Sequence, residues 1–306
     1  MAKVIHILSD GFHSPNSRAF LFPILQYSTI IRERGVNIKV FSTADNDLLD
    51  CDQLLVDSHY FSGEVRGQPD YVESSLDAWS VKNNAIDWYD TTDSAGRIHT
   101  MVFPYIRKYM KNQTLKDRKL YMKPLYGRRL FTDYYHREWM IRDNNAEETH
   151  DFEPQVENIH DLKKIHLSWN SGLSDFSLLG PYRLLLIEKF PFLRTYLPIT
   201  RKFLKHQSMR HQQLSCRMNI NYRRSTVSAQ RQKFIQLFSH HVSSKRVSRL
   251  KFFKELGSSQ IVASPFGWGE INYRDYETFL MGAMLFKPDM SHMETWPEFY
   301  EKDVTY

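Results

Sequence analysis

The chain has 306 residues, of which 42% are hydrophobic and 25% charged, and its formal net charge is +6. This composition is typical of globular proteins and argues against a disordered or fibrous chain, and the length favours two domains over one. With only two cysteines, Cys51 and Cys216, the sequence offers neither a disulfide framework nor the ligand spacing of a structural zinc site.

The N-terminal half predicts alternating strands and helices. Strands are predicted at residues 3–8, 36–41, 53–56 and 85–89, and helices at 18–34 and 100–112, with Gly35 as a helix stop. Because helix-length crossovers join successive strands, this order implies a parallel sheet with helices on its faces. The loop after the first strand lacks the Gly-x-Gly-x-x-Gly fingerprint, so this half does not predict a dinucleotide site.

A polar stretch at residues 143–161 is interpreted as a linker, which divides the chain into domains 1–150 and 151–306. The second domain is expected to repeat the alternation, starting with a strand at 164–170. Its further strands are predicted at 214–219, 260–263 and 284–286, and its helices at 226–238, 246–256 and 272–282. The predicted fold is therefore α/β, with two Rossmann-like domains facing across a cleft. Since the second sheet would need more helices to cover it, we expect the chain to be truncated after Tyr306, or a partner to supply the cover.

The most informative stretch begins where the strand at 260–263 ends. It combines a strand end, a tight glycine turn and two charges on one helix face: Ser264, Gly267, Gly269, Arg274 and Glu277. Helix N-termini bind anions through unpaired amides and the helix dipole, so this layout suits a diphosphate, with a carboxylate for ribose hydroxyls. The alternative is that Arg274 and Glu277 form only a surface ion pair worth under about 1 kcal/mol.

This stretch, from Ser264 to Trp296, resembles the donor-binding region of GT-B glycosyltransferases, most closely the bacterial surface-polysaccharide type and the exostosin-like group. The likeness rests on the glycine turn, the helix Arg and Glu, a small residue and a short strand: Gly267, Gly269, Arg274, Glu277, Gly282 and residues 285–288. Glu270 and Glu277 are the chain's counterparts of the family's pair of helix glutamates, but they lie seven residues apart rather than eight.

The resemblance implies a glycosyltransferase that moves a sugar from a nucleotide-diphosphate sugar to an acceptor hydroxyl, in surface polysaccharide or glycoconjugate synthesis. The second domain would bind the donor and the first domain a glycan or lipid-linked acceptor, with no metal and no cofactor. A non-catalytic binding subunit of a polysaccharide assembly complex, built on the same scaffold, is the alternative.

Further donor candidates lie on loops at predicted strand ends. Asn170 and Gly172 would admit a diphosphate against the backbone, or form a simple turn. Arg217 suits a phosphate by its fork of donors, and Lys287 would neutralise a diphosphate; for both, a place on the solvated surface is the alternative.

Inverting transfer needs a base that takes the proton of the acceptor hydroxyl, and Asp10 and His13 lie on the first strand–helix loop, where they are candidates. Retaining transfer would need no such base, and the sequence leaves both mechanisms open. A second acidic pair, Asp90 and Asp93, has Asp-x-x-Asp spacing, which favours helix capping by Asp93 or Ser94 over metal binding.

The segment 183–254 is basic with scattered aromatic residues. It suits docking on an anionic membrane that presents a lipid-linked acceptor, or is a solvated basic face. Nucleic acid is not expected as a partner, because no recognisable reading element accompanies the charge. Residues 1–8 become polar too soon for a signal peptide, and no run of 18 apolar residues occurs. We therefore expect a cytoplasmic protein, or one peripheral at the inner face of the membrane.

Overall fold

The computed structural model describes residues 2–143, 155–190, 192–193, 210–238 and 243–306. The helices are α1 (Pro15–Gln26), α2 (Ser28–Glu33), α3 (Glu64–Gly67), α4 (Pro69–Lys82), α5 (Leu130–Trp139), α6 (Gly180–Lys189), α7 (Ser225–Phe238), α8 (Arg249–Ser258) and α9 (Tyr273–Leu280). The strands are β1 (Lys3–Leu8), β2 (Val36–Phe41), β3 (Gln53–Asp57), β4 (Ile86–Asp90), β5 (Lys108–Lys111), β6 (Gln113–Leu115), β7 (Ile165–Leu167), β8 (Gln212–Ser215), β9 (Ser259–Ala263), β10 (Met284–Phe286) and β11 (Met293–Thr295). The protein is thus mixed α/β, as expected.

The largest sheet contains six parallel strands in the order β2-β1-β3-β4-β5-β7. Its central strands β3 and β4 are almost fully buried, because helices cover both faces of a parallel sheet. A serine cap begins α1: the Ser14 side chain accepts a hydrogen bond from the Ser17 amide, and Pro15 takes the first helical position. Gly35, with a φ of 80°, ends the helical region before β2, which confirms its prediction as a stop.

The helix predicted at 100–112 is wrong. Residues Thr100–Tyr105 form a 3₁₀ helix that contains Pro104, whose ring disfavours helix before it and whose missing N–H cannot continue one. Lys108–Lys111 then enter the sheet as β5, with the side chains of Tyr109 and Lys111 fully buried. The alternating burial of this strand, and not a helical period, sets the conformation of the segment.

The strand predicted at 164–170 forms as β7, but it was assigned to the wrong sheet. It pairs with β5 in the register Tyr109↔Ile165, so it is the sixth strand of the first sheet and not the first strand of a second one. Ile165 is buried in the same cluster as Tyr109, which explains the choice of sheet. Most of the linker predicted at 143–161 lies outside the described residues, and the bounds 1–150 and 151–306 stay predictions.

A smaller parallel sheet has the order β10-β9-β8, with α7 and α8 between β8 and β9, and α9 between β9 and β10. An antiparallel pair, β6 with β11, joins the C-terminal region to the first sheet. The main hydrophobic cluster also crosses between the two sheets, since it contains Trp88 and Tyr109 together with Phe266 and Leu285. The two sheets are therefore joined by this cluster, while smaller clusters lie beside each of them.

Candidate functional site

The strand order of the larger sheet creates a crevice at its carboxyl edge. From β1 the chain crosses to β2 on one side, and from β2 it crosses back to β3 on the other. The loops that follow β1 and β3 therefore leave in opposite directions, and open α/β sheets bind ligands at such a switch point.

A buried carboxylate lies at the floor of this crevice. Asp57, the last residue of β3, is fully buried. Its Oδ2 accepts hydrogen bonds from Ser9 Oγ at 2.7 Å and Ser17 Oγ at 2.5 Å, and its Oδ1 accepts one from Thr91 Oγ1 at 2.7 Å. These donors come from the ends of β1 and β4 and the start of α1, so one carboxylate ties together the three elements that border the crevice.

His59 continues this network toward solvent. Its Nδ1 lies 2.7 Å from Thr91 Oγ1, and its side chain is 19% exposed. Within the described part of the chain, Nδ1 lies 3.9 Å from Asp57 Oδ1 and no hydrogen bond to Nε2 is formed. The imidazole is thus linked to a buried carboxylate through one hydroxyl.

A pocket of about 740 Å³, counting the part open to solvent, lies over this network. We call it the edge pocket; its walls include Asn16, His59, Asp93, Arg97, Arg129 and Trp268. These residues come from α1, from the loops after β3 and β4, from the start of α5 and from the loop after β9. The pocket therefore brings together groups from both parallel sheets.

Arg129 is the most unusual residue of the edge pocket. It is only 6% exposed, and its hydrogen bonds go from Nε to the Trp268 carbonyl at 3.0 Å and from Nη1 to the Gly127 carbonyl at 2.9 Å. Burial, together with the charges of Arg224 and Arg97, lowers its pKa to about 10. No described carboxylate forms an ion pair with it, which is rare for a buried cation.

A second pocket, of about 490 Å³ counting its open part, lies next to the first. We call it the cleft pocket; its walls include Asn16, Asp90, Asn112, Asn170, Ile271 and Tyr273. The two pockets share Asn16 and Asp93. Across this pocket the Tyr273 hydroxyl donates to Asn16 Oδ1 at 2.8 Å, which brings the start of α9 against the start of α1. The carboxyl ends of β4, β5 and β7 thus meet the start of α9 here.

Two groups in the cleft pocket have contrasting surroundings. Asp90 pairs with Lys111 at 2.6 Å, with both side chains fully buried. Burial, the largest single effect, would raise the pKa of Asp90, but the charges of Lys111 and His99 and the hydrogen bonds from Lys111 and Thr92 together hold that pKa well below its usual range. Asn112 Oδ1 is instead buried with no hydrogen-bond partner among the described residues, and so is available to a ligand.

The glycine turn predicted to cradle a diphosphate is closed. A Cβ added at Gly269 would meet the Asp93 carbonyl oxygen at 1.6 Å, and one at Gly267 would meet Asn272 Oδ1 at 2.8 Å. The Gly267 amide is bonded to the Gly269 carbonyl at 2.9 Å. Because Gly267 and Gly269 have no side chains, the loop after β4 can pack directly against the turn. The glycines therefore serve packing and do not expose backbone amides to solvent.

Glu270 is fully buried and takes part in the same contact. Its Oε2 accepts a hydrogen bond from the Ala95 amide at 2.9 Å, and its Oε1 has no partner among the described residues. Glu270 therefore joins the loop after β9 to the loop after β4 and does not lie on α9.

Arg274 and Glu277 lie on α9, as predicted, but they do not pair with each other. Glu277 Oε1 accepts from Arg249 at 2.8 Å, and burial raises the pKa of Glu277 although Arg249 opposes it. Arg274 forms no ion pair with a described residue, and its Nε is buried without a partner there. Burial lowers its pKa against the opposing charges of Glu277 and Asp275.

The other predicted donor residues have structural partners. Ser264 Oγ and Lys287 Nζ both bind the buried carboxylate of Asp275, at 2.5 and 2.9 Å, so Lys287 is not a solvated lysine. Arg217 pairs with Glu255 at 2.9 Å on the outer side of β8.

Of the remaining predicted residues, Asn170 and Asp93 line a pocket, whereas Gly172, Asp10 and His13 do not. Asn170 lines the cleft pocket and caps the turn at Ser171–Leu173, accepting from the Gly172 amide at 2.8 Å. Gly172 is covered, since a Cβ there would meet Phe299 at 2.5 Å. Asp10 binds the Ser14 amide at 3.2 Å and His13 is exposed, and neither lines the edge or cleft pocket. Asp93 caps no helix; its Oδ1 accepts from Asn16 at 2.9 Å.

Sequence reasoning missed the Asp57–Thr91–His59 network and Arg129. A signal for the first existed, because Asp57 and His59 directly follow a buried strand, at the end where parallel sheets present their ligands. Arg129 had no such signal, since it precedes α5 in a segment rich in tyrosine and arginine.

In the described ranges, no three His, Cys, Asp or Glu side chains lie close enough together to hold a metal ion. No helix there has the length and apolar character needed to cross a membrane. Comparisons with family models, with curated proteins and with solved structures find no match to this chain.

Proposed function

We propose that the chain is a glycosyltransferase that moves a sugar from a nucleotide-diphosphate sugar to an acceptor hydroxyl, in the synthesis of a surface polysaccharide or glycoconjugate. One observation carries the proposal: the carboxyl ends of β4, β5 and β7 meet the start of α9, whose sequence suggested the activity, around the cleft pocket. The carboxyl edge of a parallel sheet is where α/β proteins bind ligands, so a donor held by α9 can reach an acceptor there.

In this proposal the donor runs from α9 into the cleft pocket. Arg274, a half-buried cation that forms no ion pair with a described residue, would bind the diphosphate, and Glu277, one turn later, the ribose. The sugar would then lie in the cleft pocket, where Asn112 Oδ1 offers an unused acceptor. Fixed positive groups beside the leaving diphosphate stabilise it most in the transition state, where its charge grows.

A non-catalytic binding subunit is the second candidate, and two contacts favour it. The glycine turn is covered by the loop after β4, and Glu277 is held by Arg249. Both contacts would have to give way before a nucleotide could use the predicted donor residues. Hydrolysis or transfer of a nucleotide sugar distinguishes the candidates, because a binding subunit has neither activity.

The test is calorimetric titration with UDP, GDP and their sugars. Arg274→Gln and Glu277→Gln should each weaken binding of the bare nucleotide by tenfold or more, whereas Asn112→Ala should weaken only the nucleotide sugar, by about three- to tenfold for one lost hydrogen bond. Asn37→Ala, on the exposed face of β2, is the matched control. Nucleotide binding that survives both α9 variants would exclude the assigned site, and no response to any nucleotide or nucleotide sugar would exclude the proposed function.

A further inference from the structure

We propose that the edge pocket binds the acceptor, with His59 as the base that takes the proton of its hydroxyl and Arg129 as the ligand of an anionic group on the acceptor. The inference rests on the proposed function and deepens it, since it names a catalytic residue and a substrate class. Neither residue was among the sequence candidates, and Asp10 and His13 do not line this pocket.

The hydrogen bonds determine which imidazole nitrogen carries the proton. The Asp57 carboxylate can only accept, so the single hydroxyl proton of Thr91 is used in its 2.7 Å bond to Asp57 Oδ1. Thr91 Oγ1 must then accept from His59 Nδ1 at 2.7 Å. A neutral His59 therefore holds its proton on Nδ1, which leaves a lone pair on Nε2 for the substrate.

The same network stabilises the charged imidazole that proton transfer creates. Nδ1 lies 3.9 Å from Asp57 Oδ1, close enough for attraction between the two charges in a buried setting. Ser9 and Ser17 fix the other carboxylate oxygen, so Asp57 keeps its position when His59 becomes charged. The imidazole is thus a base whose orientation is fixed by a further group, which is the arrangement common at sites that activate a hydroxyl.

Arg129 identifies the chemistry of the ligand. A cation at 6% exposure, whose hydrogen bonds to described residues go from Nε and Nη1 to two neutral carbonyls, has Nη2 left for a ligand of the pocket that it lines. Glu270 and Asp93 attract Arg129 without pairing with it, and an anionic oxygen group, phosphate or carboxylate, would give it a direct ion pair and match the planar fork. A phosphate suits a lipid-linked acceptor, and a carboxylate suits an acidic sugar.

The proposed step is balanced. The acceptor oxygen forms a bond to the anomeric carbon as its proton passes to His59 Nε2, and the bond from that carbon to the diphosphate oxygen breaks, with its electron pair leaving on the nucleoside diphosphate. His59 then returns the proton to solvent. This single displacement inverts the anomeric centre.

The first experiment determines which imidazole nitrogen of His59 carries the proton, and it needs no substrate. Nitrogen-15 NMR of the full chain should show neutral His59 with its proton on Nδ1, and Thr91→Val should lose that preference because valine cannot accept the bond. His160→Gln, at an exposed histidine in the 3₁₀ helix Ile159–Lys164, is the matched control and should leave the His59 signals unchanged. An Nε2–H tautomer in the wild type would overturn the assignment of His59.

The second experiment determines which anion binds in the edge pocket. Inorganic phosphate or glucuronate, titrated separately, should shift the His59 signals in a saturable way. Arg129→Gln should lower the affinity for the anion that causes the shift at least tenfold. Phosphate alone would indicate a phosphorylated acceptor, and glucuronate alone an acidic sugar. The anion assignment is wrong when neither shifts the signals, or when the shift survives Arg129→Gln.

The third experiment measures sugar transfer and tests His59 as the base. His59→Gln should retain donor affinity and lose transfer by 10²- to 10⁴-fold. The other charged groups around the imidazole are Asp57, Asp93, Arg97, His99 and Arg129. Transfer that survives His59→Gln overturns the base assignment, whereas a wild type that binds no nucleotide sugar refutes the proposed function and leaves the first two experiments to judge the pocket.

Discussion

Gly269 offers a test of why the turn after β9 contains glycine. In the sequence the glycines favour a diphosphate cradle, whereas in the structure Gly269 admits the backbone of Asp93. A Cβ built at Gly269 lies 1.6 Å from the Asp93 carbonyl oxygen and 2.2 Å from its carbonyl carbon, against 3.4–4 Å for an ordinary contact. Gly269→Ala should therefore destabilise the protein in the absence of any ligand.

The magnitude follows from how firmly the opposing loop is held. The loop would have to retreat by about 2 Å to reach ordinary contact. It is fixed by the bond from the Ala95 amide to Glu270, by the bond from Gln113 to the Asp93 carbonyl, and by the bond from Asn16 to the Asp93 side chain. Overpacking costs about 1–3 kcal/mol, and a clash with backbone belongs at the upper end. About 3 kcal/mol corresponds to a fall in Tm of about 6 °C at 2 °C per kcal/mol.

Thermal unfolding followed by circular dichroism measures this change, and Gly63→Ala is the matched control. Gly63 has a φ of −80° and nothing within 4 Å of an added Cβ, so alanine there should leave the Tm unchanged or raise stability by about 0.4–1 kcal/mol. A Gly269→Ala protein that keeps the wild-type Tm but loses nucleotide binding would refute the packing argument and would support the diphosphate site predicted from the sequence.

Two further predictions concern buried charges. Lys111→Met should lower the free energy of unfolding by about 3–5 kcal/mol, because it leaves Asp90 buried without its partner, and the Asp90→Leu/Lys111→Met pair should recover most of the loss; urea unfolding at pH 7 measures both. Since Lys111 holds the pKa of Asp90 below its usual range, the contribution of the pair is complete above about pH 4, near the ordinary pKa of an aspartate, and declines as the pH falls further. The free energy of unfolding should therefore fall more for the wild type than for the double variant between about pH 5 and about pH 3. Arg129→Met should raise the Tm at pH 7, because burial lowers the pKa of Arg129 to about 10 and the folded state therefore disfavours its charged form until the pH approaches that value; a fall of several degrees would show that its two carbonyl bonds outweigh that cost.

The local elements at both ends of the chain could be predicted because each carries its own signal. The strands at 3–8 and 36–41 are short and rich in β-branched residues, and both form with the predicted bounds. The helix predicted at 226–238 forms as α7, one residue longer. The helix predicted at 100–112 is wrong because the aromatic and basic residues there fit the period of a strand as well as that of a helix. The burial of Tyr109 beside Asp90 decided in favour of a strand.

The candidate site could be predicted in part only. That α9 would follow a glycine turn and carry Arg274 and Glu277 on its first turns is a local property, and it holds. Which partner each charge takes is not local: Arg249 comes from α8 and the Asp93 carbonyl from the loop after β4. No spacing rule relates residues that are 28 or 176 positions apart in the chain.

The amino-acid sequence by itself therefore determined the α/β class, most strand positions and the charged helix after the glycine turn, because hydrophobic period and turn chemistry act over a few neighbouring residues. Tertiary structure alone decided that β7 joins the first sheet, that the glycine turn is filled by backbone, and that His59, linked to Asp57 through Thr91, meets Arg129 at one pocket. The physical reason is that burial and hydrogen-bond satisfaction are properties of the whole packed core, and they choose partners that lie far apart in the sequence.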